Sequence, residues 1–330
     1  MPLKKLQLKS GVNRENTRYT TEGGWYDCDK IRFRQGTPEK IGGWERVSEN
    51  TYLGVCRSLF RWSTLDGLVY TGVGTHLKFY VSQDGEYFDV TPIRATTSLT
   101  DPFSTTDGSS LVSVADAVTG NYQPGDFVTF SGATAVGGLT LNGEYQIVFV
   151  DSGGNDYTID AGSSATSTAT GGGSVSAAYQ INTGAAVAVP LTGWGASTWG
   201  SGTWGVGEES TITLRRWSQS NFGEDLIFGP RGGGLYYWDA SVGTATRGFS
   251  LTTASGASGV PSIQNFILVS DISRFVFALG CNDIGSGSLD TMLIRWSDQE
   301  DPYNWTPSAV NQAGSLRLSR GSQIITATQA

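Results

Sequence analysis

The sequence predicts an all-β fold: a β-propeller-like body built of short antiparallel sheets, with a small inserted β-domain. Three observations lead there. An ordered pattern of arginine-tryptophan, polar turn, glycine, apolar run, glycine and aromatics occurs twice in full and once in part. Glycine supplies 45 of the 330 residues and charged residues only 16%, which suits short strands joined by tight turns. Helical periodicity behind capping boxes is nearly absent.

The pattern is clearest from Arg215 to Asp239, RRWSQSNFGEDLIFGPRGGGLYYWD. Leu226, Ile227 and Phe228 form a short apolar run, Gly229 to Gly234 supply turn chemistry, and Leu235 to Trp238 form a second run dense in aromatics. That is half of a four-stranded sheet. Arg61 to Tyr80, RWSTLDGLVYTGVGTHLKFY, repeats the order, so that Gly67, Gly72, Leu77 and Tyr80 fall on Gly223, Gly229, Leu235 and Trp238, with a one-residue slip at Gly229. Ile294-Arg295-Trp296-Ser297 repeats the Arg-Trp-Ser step behind the strand pair Phe266 to Val269 and Phe275 to Leu279. One small sheet cannot bury both its faces alone, so such units stack, and radial stacking makes a propeller.

Four segments follow. Residues 1–46 form an N-terminal arm and first strands, 47–100 and 183–330 the two parts of the propeller, and 101–182 the inserted β-domain. Within the insert, Ser, Thr, Gly and Ala dominate and tryptophan disappears. Strand-like runs at Phe127 to Phe130, Tyr145 to Val150 and Asp156 to Ile159 each follow a turn signal. In the arm, Ile31 and Phe33 alternate with Arg32 and Arg34, the period of a half-buried strand, and Gly42-Gly43-Trp44 closes the segment with an aromatic anchor. Ile324 and Ile325 begin what reads as a further strand. Three units are too few for a closed ring of four or more blades, so the ring is completed by something outside this sequence or the chain is shorter than its relatives.

Net charge is −8, unevenly spread: Met1 to Arg46 carries ten basic against six acidic residues, leaving an acidic body. Such a body does not grip phosphates, although a duplex could slide past it. Cys28, Cys56 and Cys281 are odd in number and without CxxC spacing, which speaks against a disulfide framework or a zinc site. Met1 to Ser10 lacks the apolar core of a signal peptide, and no segment reaches the ~18 apolar residues of a membrane span, so membrane insertion is not expected.

No catalytic constellation emerges. The single histidine, His76, sits in a turn without a nucleophile context. The acidic clusters Asp27/Asp29, Glu208/Glu209, Glu224/Asp225 and Asp298/Glu300/Asp301 offer no pair with glycosidase logic, and the last lacks the spacing of a calcium loop. A turn that caps backbone amides is the expectation for it. No enzyme activity, metal or cofactor is expected. Trp194, Trp199 and Trp204 recur at five-residue spacing, each followed by glycine, which matches neither helix nor strand and predicts a loop presenting indoles. These rings suit an interface between blades or with a partner subunit, or alternatively stacking on host surface sugars by a carbohydrate-binding propeller or tail-fibre module.

Asp29-Lys30-Ile31-Arg32-Phe33-Arg34, Pro38-Glu39-Lys40, Gly42-Gly43-Trp44 and, near the other end, Ser297-Asp298-Gln299-Glu300-Asp301-Pro302-Tyr303-Asn304-Trp305 carry a resemblance. The chain resembles the packaged-DNA stabilisation or tail hub (nozzle) proteins of short-tailed double-stranded DNA phages. The resemblance implies a structural protein of the virion tail, assembled in the host cytoplasm as a homo-oligomeric, hexameric ring below the portal-adaptor protein. It also implies contact with tail fibre or spike proteins, and double-stranded DNA passing through the channel without sequence-specific binding. On this reading Lys4, Lys5, Lys9, Arg14 and Arg18 of the basic arm dock onto the neighbour toward the head.

Overall fold

The structure is a computed structural model that describes residues 9–329 apart from 16, 21, 44, 47, 152, 155 and 185–213. It is all-β: the helical elements among the described residues are two short 3-10 turns, Ala240–Val242 and Leu251–Thr253. No helix among them is long and apolar enough to cross a membrane. The chain divides into two units, Met1–Glu49 and Asn50–Ala330.

The described residues of the first unit include a hairpin, β1 (Ile31–Arg34) and β2 (Thr37–Lys40). Its two turn residues, Gln35 and Gly36, both have positive φ, 50° and 79°, the conformation that matches the twist of a two-residue hairpin. Ile31 and Phe33 are half-buried while Arg32 and Arg34 face solvent, and Trp25 packs on Phe33 with ring centroids 6.1 Å apart. Trp44 lies outside the described residues.

The described residues of the second unit form three four-stranded blades and an inserted domain. β3 (Cys56–Ser63), β4 (Val69–Thr75), β5 (Phe79–Gln83) and β6 (Glu86–Asp89) form the first blade as a meander. The chain then enters the insert: β7 (Ile93–Thr100), β8 (Phe103–Thr105), β9 (Leu111–Ala115), β10 (Phe127–Ser131), β11 (Gly143–Val150), β12 (Asp156–Asp160), β13 (Ala169–Gly171) and β14 (Ser174–Gln180). These make one eight-stranded, nearly closed sheet in the order β13-β8-β9-β12-β11-β10-β14-β7 around a core of its own. It begins at Ile93, ahead of the compositional change at Asp101. β15 (Trp217–Phe222), β16 (Asp225–Pro230), β17 (Tyr236–Trp238) and β18 (Phe249–Ser250) form the second blade. β19 (Gln264–Val269), β20 (Val276–Asn282), β21 (Leu289–Trp296) and β22 (Gly314–Arg317) form the third.

The blades stack through their first strands, β15 against β3 and β4, then β19 against β15 and β16. Strand alternation divides β15 between two neighbours. The Trp217 indole donates to the Thr75 carbonyl at 2.7 Å and the Gln219 amide to Ser58 Oγ at 2.6 Å, both in the first blade. On the opposite face the Ser218 and Ser220 hydroxyls accept the Ile267 and Val269 amides of the third at 3.1 and 3.3 Å. Phe79 stacks on Phe228 at 4.1 Å between the first two blades, within a core that includes Trp62, Tyr70 and Trp238. Ile227, Tyr237, Ile267, Val276 and Leu293 fill the second junction. Each such fully buried side chain contributes ~1.5–3 kcal/mol.

The glycines of the repeat acquire distinct reasons. Gly67 and Gly223 occupy the first hairpin turn of their blades with φ of 82° and 68°. Gly72 and Gly229 instead seat the glutamine of the next blade's first strand, Gln219 and Gln264 respectively: a Cβ on either would stand closer than 3.0 Å to it. Arg-Trp-Ser, by contrast, is not an equivalent position. It ends β3, opens β15 and ends β21, so its recurrence is a coincidence of residues rather than of place. Nor is there a strand at Ile324: its amide donates to the Thr291 carbonyl at 3.0 Å without a ladder.

The three arginines of the tripeptide differ accordingly. Arg61 and Arg216 are exposed, whereas Arg295 is 1% exposed and donates to the carbonyls of Asn282 at 3.1 Å, Trp305 at 3.4 Å and Gly259. Its planar fork ties the end of β20 to two loop segments at once, which an ammonium cannot reproduce. Arg295→Lys should therefore lower unfolding free energy by about 2 kcal/mol in a urea titration.

Candidate functional site

The residues expected to dock the arm are placed in part. Lys4 and Lys5 lie outside the described residues, as do Trp194, Trp199 and Trp204 and the pair Glu208/Glu209. The Lys9 amide donates to the Gly23 carbonyl at 2.7 Å, which turns the chain back on itself. Arg14 pairs with Asp27 at 2.5 Å, the carboxylate raising the arginine and the guanidinium holding the carboxyl below its usual range. Arg18 lies over the Tyr26 ring at 5.2 Å. Across the hairpin, Arg32 pairs with Glu39 at 2.5 Å. The motif of the resemblance is thus a small clip whose described ion pairs close within the first unit.

The candidates for catalysis are engaged in architecture. His76 Nδ1 accepts the Val55 amide at 2.9 Å, and burial, with nearby Arg57, holds the imidazole below its usual range and so neutral. Glu224 accepts the Leu65 amide at 2.8 Å, while its carbonyl takes the Trp62 indole at 2.7 Å. Asp225 accepts the Tyr237 hydroxyl at 2.5 Å and the Ala240 amide at 2.8 Å. Asp298 accepts the amides of Gln299 and Gln312 at 2.8 and 2.9 Å, and Asp301 that of Tyr303 at 2.9 Å, so this acidic run caps backbone in a turn. Burial pushes the Cys281 thiol up to about 12, which leaves it a poor nucleophile. Among the described residues no cluster of His, Cys, Asp and Glu could hold a metal ion. A polar hollow of about 300 Å³ beside the ends of β15 and β19 is lined by Asn221, Ser270, Asp271 and Arg274 without convergent chemistry.

One charged constellation escaped the sequence. Lys78, with only 4% of its side chain exposed, lies 2.8 Å from Asp89 and also contacts Glu144 of the insert. Arg247 of the second blade reaches Asp89 at 3.1 Å and Glu144 at 3.6 Å. The Gln180 amide donates to Glu144 at 2.5 Å, and the Lys78 ammonium stands 4.5 Å from the centroid of the Phe127 ring. Two cations and two carboxylates from two blades and the insert therefore neutralise one another at a single junction. A lone lysine in the apolar run Leu77-Lys78-Phe79-Tyr80 was the available signal. Its partners are far away in sequence and carry no motif. The cluster is a fastening, because every charged group in it already faces an opposite charge.

No protein-family model matches the chain, and no curated protein matches it. Among solved structures the chain is similar to the Phage phi92 endosialidase, at 15% identity and a TM-score of 0.23, with 86% of this chain and 40% of that chain covered. The chain thus spans 40% of the length of that structure.

Proposed function

We propose that this protein is a structural component of a short phage tail, a hub that assembles as a homo-oligomeric ring below a portal-adaptor, extends the DNA channel and retains packaged DNA. The observation that carries the reading is the N-terminal clip. The residues that resemble the tail hub family, Asp29 to Arg34 and Pro38 to Lys40, supply the two strands of a hairpin and its cross-strand ion pair, joined by the turn at Gln35 and Gly36. Such a clip presents a shaped surface and no reactive group, as an attachment element requires. The stacked blades supply a body rich in strand faces on which subunits of a ring could rest. An acidic body lets a duplex pass without sticking.

The clip and the arm before it dock on the neighbour toward the head. A pull-down on a portal-adaptor complex tests this, with Lys4, Lys5, Lys9, Arg14 and Arg18 all reversed to glutamate. Wild type should be retained and the variant lost. Equal retention of both removes the arm from the docking surface, and absence of any binding by wild type removes the hub reading.

A further inference from the structure

The insert and the blades bury separate cores. Leu99, Phe103, Val128, Ile147, Tyr157 and Val175 belong to a cluster made wholly of insert residues, whereas Val90 and Ile181, which flank the insert in the chain, belong to the core of the first two blades. The chain crosses between them at two neighbouring points. On the way out, the Val90 amide donates to the Phe79 carbonyl at 3.0 Å and Thr91 Oγ1 accepts the Phe79 amide at 2.9 Å, so the first blade holds the chain up to Pro92. On the way back, Gln180 ends β14 and the Ile181 amide donates to the Pro92 carbonyl at 3.0 Å. Two features weaken the ladder at this root. Proline has no N–H to give, and the register of β14 on β7 shifts between Tyr179 and Gln180, an irregularity of the kind that bends a strand pair. The ion pairs described between the insert and the blades both run to Glu144 of β11, which faces Lys78 of the first blade and, at 3.6 Å, Arg247 of the second. Phe127 of the insert stands over the Lys78 ammonium.

We propose that the insert is a hinged module which Glu144 latches against the blades, and that neutralising Glu144 lets it swing about Pro92 and Gln180 while both bodies stay folded. The chemistry of the contact suits a joint that opens. An apolar junction such as Phe79 on Phe228 loses its burial as soon as it parts. The latch is instead polar and within reach of water, since the Glu144 side chain is 30% exposed. Without the charge of Glu144, Lys78 and Arg247 are left to share Asp89 alone, and the repulsion between the two cations then opposes closure. The root is built to bend, because the outgoing crossing is a proline and the returning one is an irregular step in the ladder. The Asn182 amide donates to Gln123 and Asp126 of the insert at 2.7 and 2.8 Å. It lies two residues from Gln180, so this tie sits at the pivot and not across the gap that opens.

The hinge goes beyond the tail reading and does not rest on it. Acylation of lysine amines tests it on the full chain, read peptide by peptide by mass spectrometry. In wild type, Lys78 with 4% of its side chain exposed should react far more slowly than the exposed Lys40. In Glu144→Gln, Lys78 should react about tenfold faster or more, because the swing uncovers it, while Lys40 keeps its rate. Asp89→Asn separates uncovering from the loss of a charge partner: it also takes a carboxylate from Lys78 but leaves the latch, so Lys78 should stay protected. Amide hydrogen exchange in β10 of the insert and β16 of the second blade should be as slow in Glu144→Gln as in wild type, since neither body unfolds. Lys78 as slow in Glu144→Gln as in wild type, equal Lys78 rates in the two variants, or faster exchange in β10 or β16 of Glu144→Gln would each overturn the proposal. None of these results bears on the portal-adaptor pull-down, so the two readings fail separately.

Discussion

Gly229→Ala should destabilise the body by about 2 kcal/mol, against the usual direction for a glycine in a strand. Gly229 sits in β16 without a positive φ, so alanine meets no backbone strain there. Replacing such a glycine ordinarily stabilises by about 0.4–1 kcal/mol, because the unfolded chain loses freedom. Here the new methyl would stand closer than 3.0 Å to the Gly234 carbonyl and to the Gln264 side chain that the third blade lays across this strand. The carbonyl belongs to the backbone and cannot swing away, so either the strand or the third blade must shift. Overpacking of this kind costs about 1–3 kcal/mol and therefore outweighs the entropic gain. Gly287, with nothing within 4 Å of its would-be Cβ, is the control, and Gly287→Ala should raise the midpoint of a urea titration slightly. A Gly229→Ala protein as stable as wild type would mean that the third blade does not lie on the second as described.

That glycine also shows what a single sequence discloses. The all-β class, the inserted β-domain and the doubling of the Gly-apolar-Gly pattern could be read directly, because turn residues and short apolar runs are local signals. Gly67 and Gly223 are local in that sense, since a turn demanded positive φ. Gly72 and Gly229 matched in the sequence for a reason that was not local: each makes room for a glutamine of the next blade, Gln219 or Gln264. Arg-Trp-Ser misled where the glycines did not. Three residues without a conformational requirement can recur at the end of a first strand, the start of another and the end of a third strand. In the insert, the turns before Phe127, Tyr145 and Asp156 announced β10, β11 and β12. β7 and β14, rich in Ser, Thr and Ala, were silent because the large apolar side chains they bury, Leu99, Val175 and Tyr179, are too scattered to read as an apolar run. The charged junction was illegible for the opposite reason. Lys78, Asp89, Glu144 and Arg247 are strong signals individually, but nothing in their spacing says that they meet.

Lys78→Met should cost about 3 kcal/mol, near the low end for breaking a buried pair, because Asp89 and Glu144 keep some contact with water. Removing the ammonium leaves two carboxylates sharing the guanidinium of Arg247, which is itself 32% exposed. Adding Glu144→Gln restores the balance of charge, so the double variant should recover about half of the loss, a coupling expected only of groups that touch. Acid separates this account from a simple packing defect. Burial alone would raise the Asp89 carboxyl, but Lys78 and Arg247 outweigh it and hold the group below its ordinary value of 3.8. The folded protein therefore binds fewer protons here than the unfolded chain, so the stabilisation is present above the ordinary carboxylate value and is lost as pH falls through the folded one. In Lys78→Met the main opposing charge is gone and that stabilisation with it. The gap between wild type and variant in urea titrations should accordingly be wide at about pH 7 and narrow progressively as the pH falls below the ordinary carboxylate value. A gap that stays constant across that range would assign the loss to the methionine's packing, and the junction would then owe its strength to shape around Phe127 rather than to charge.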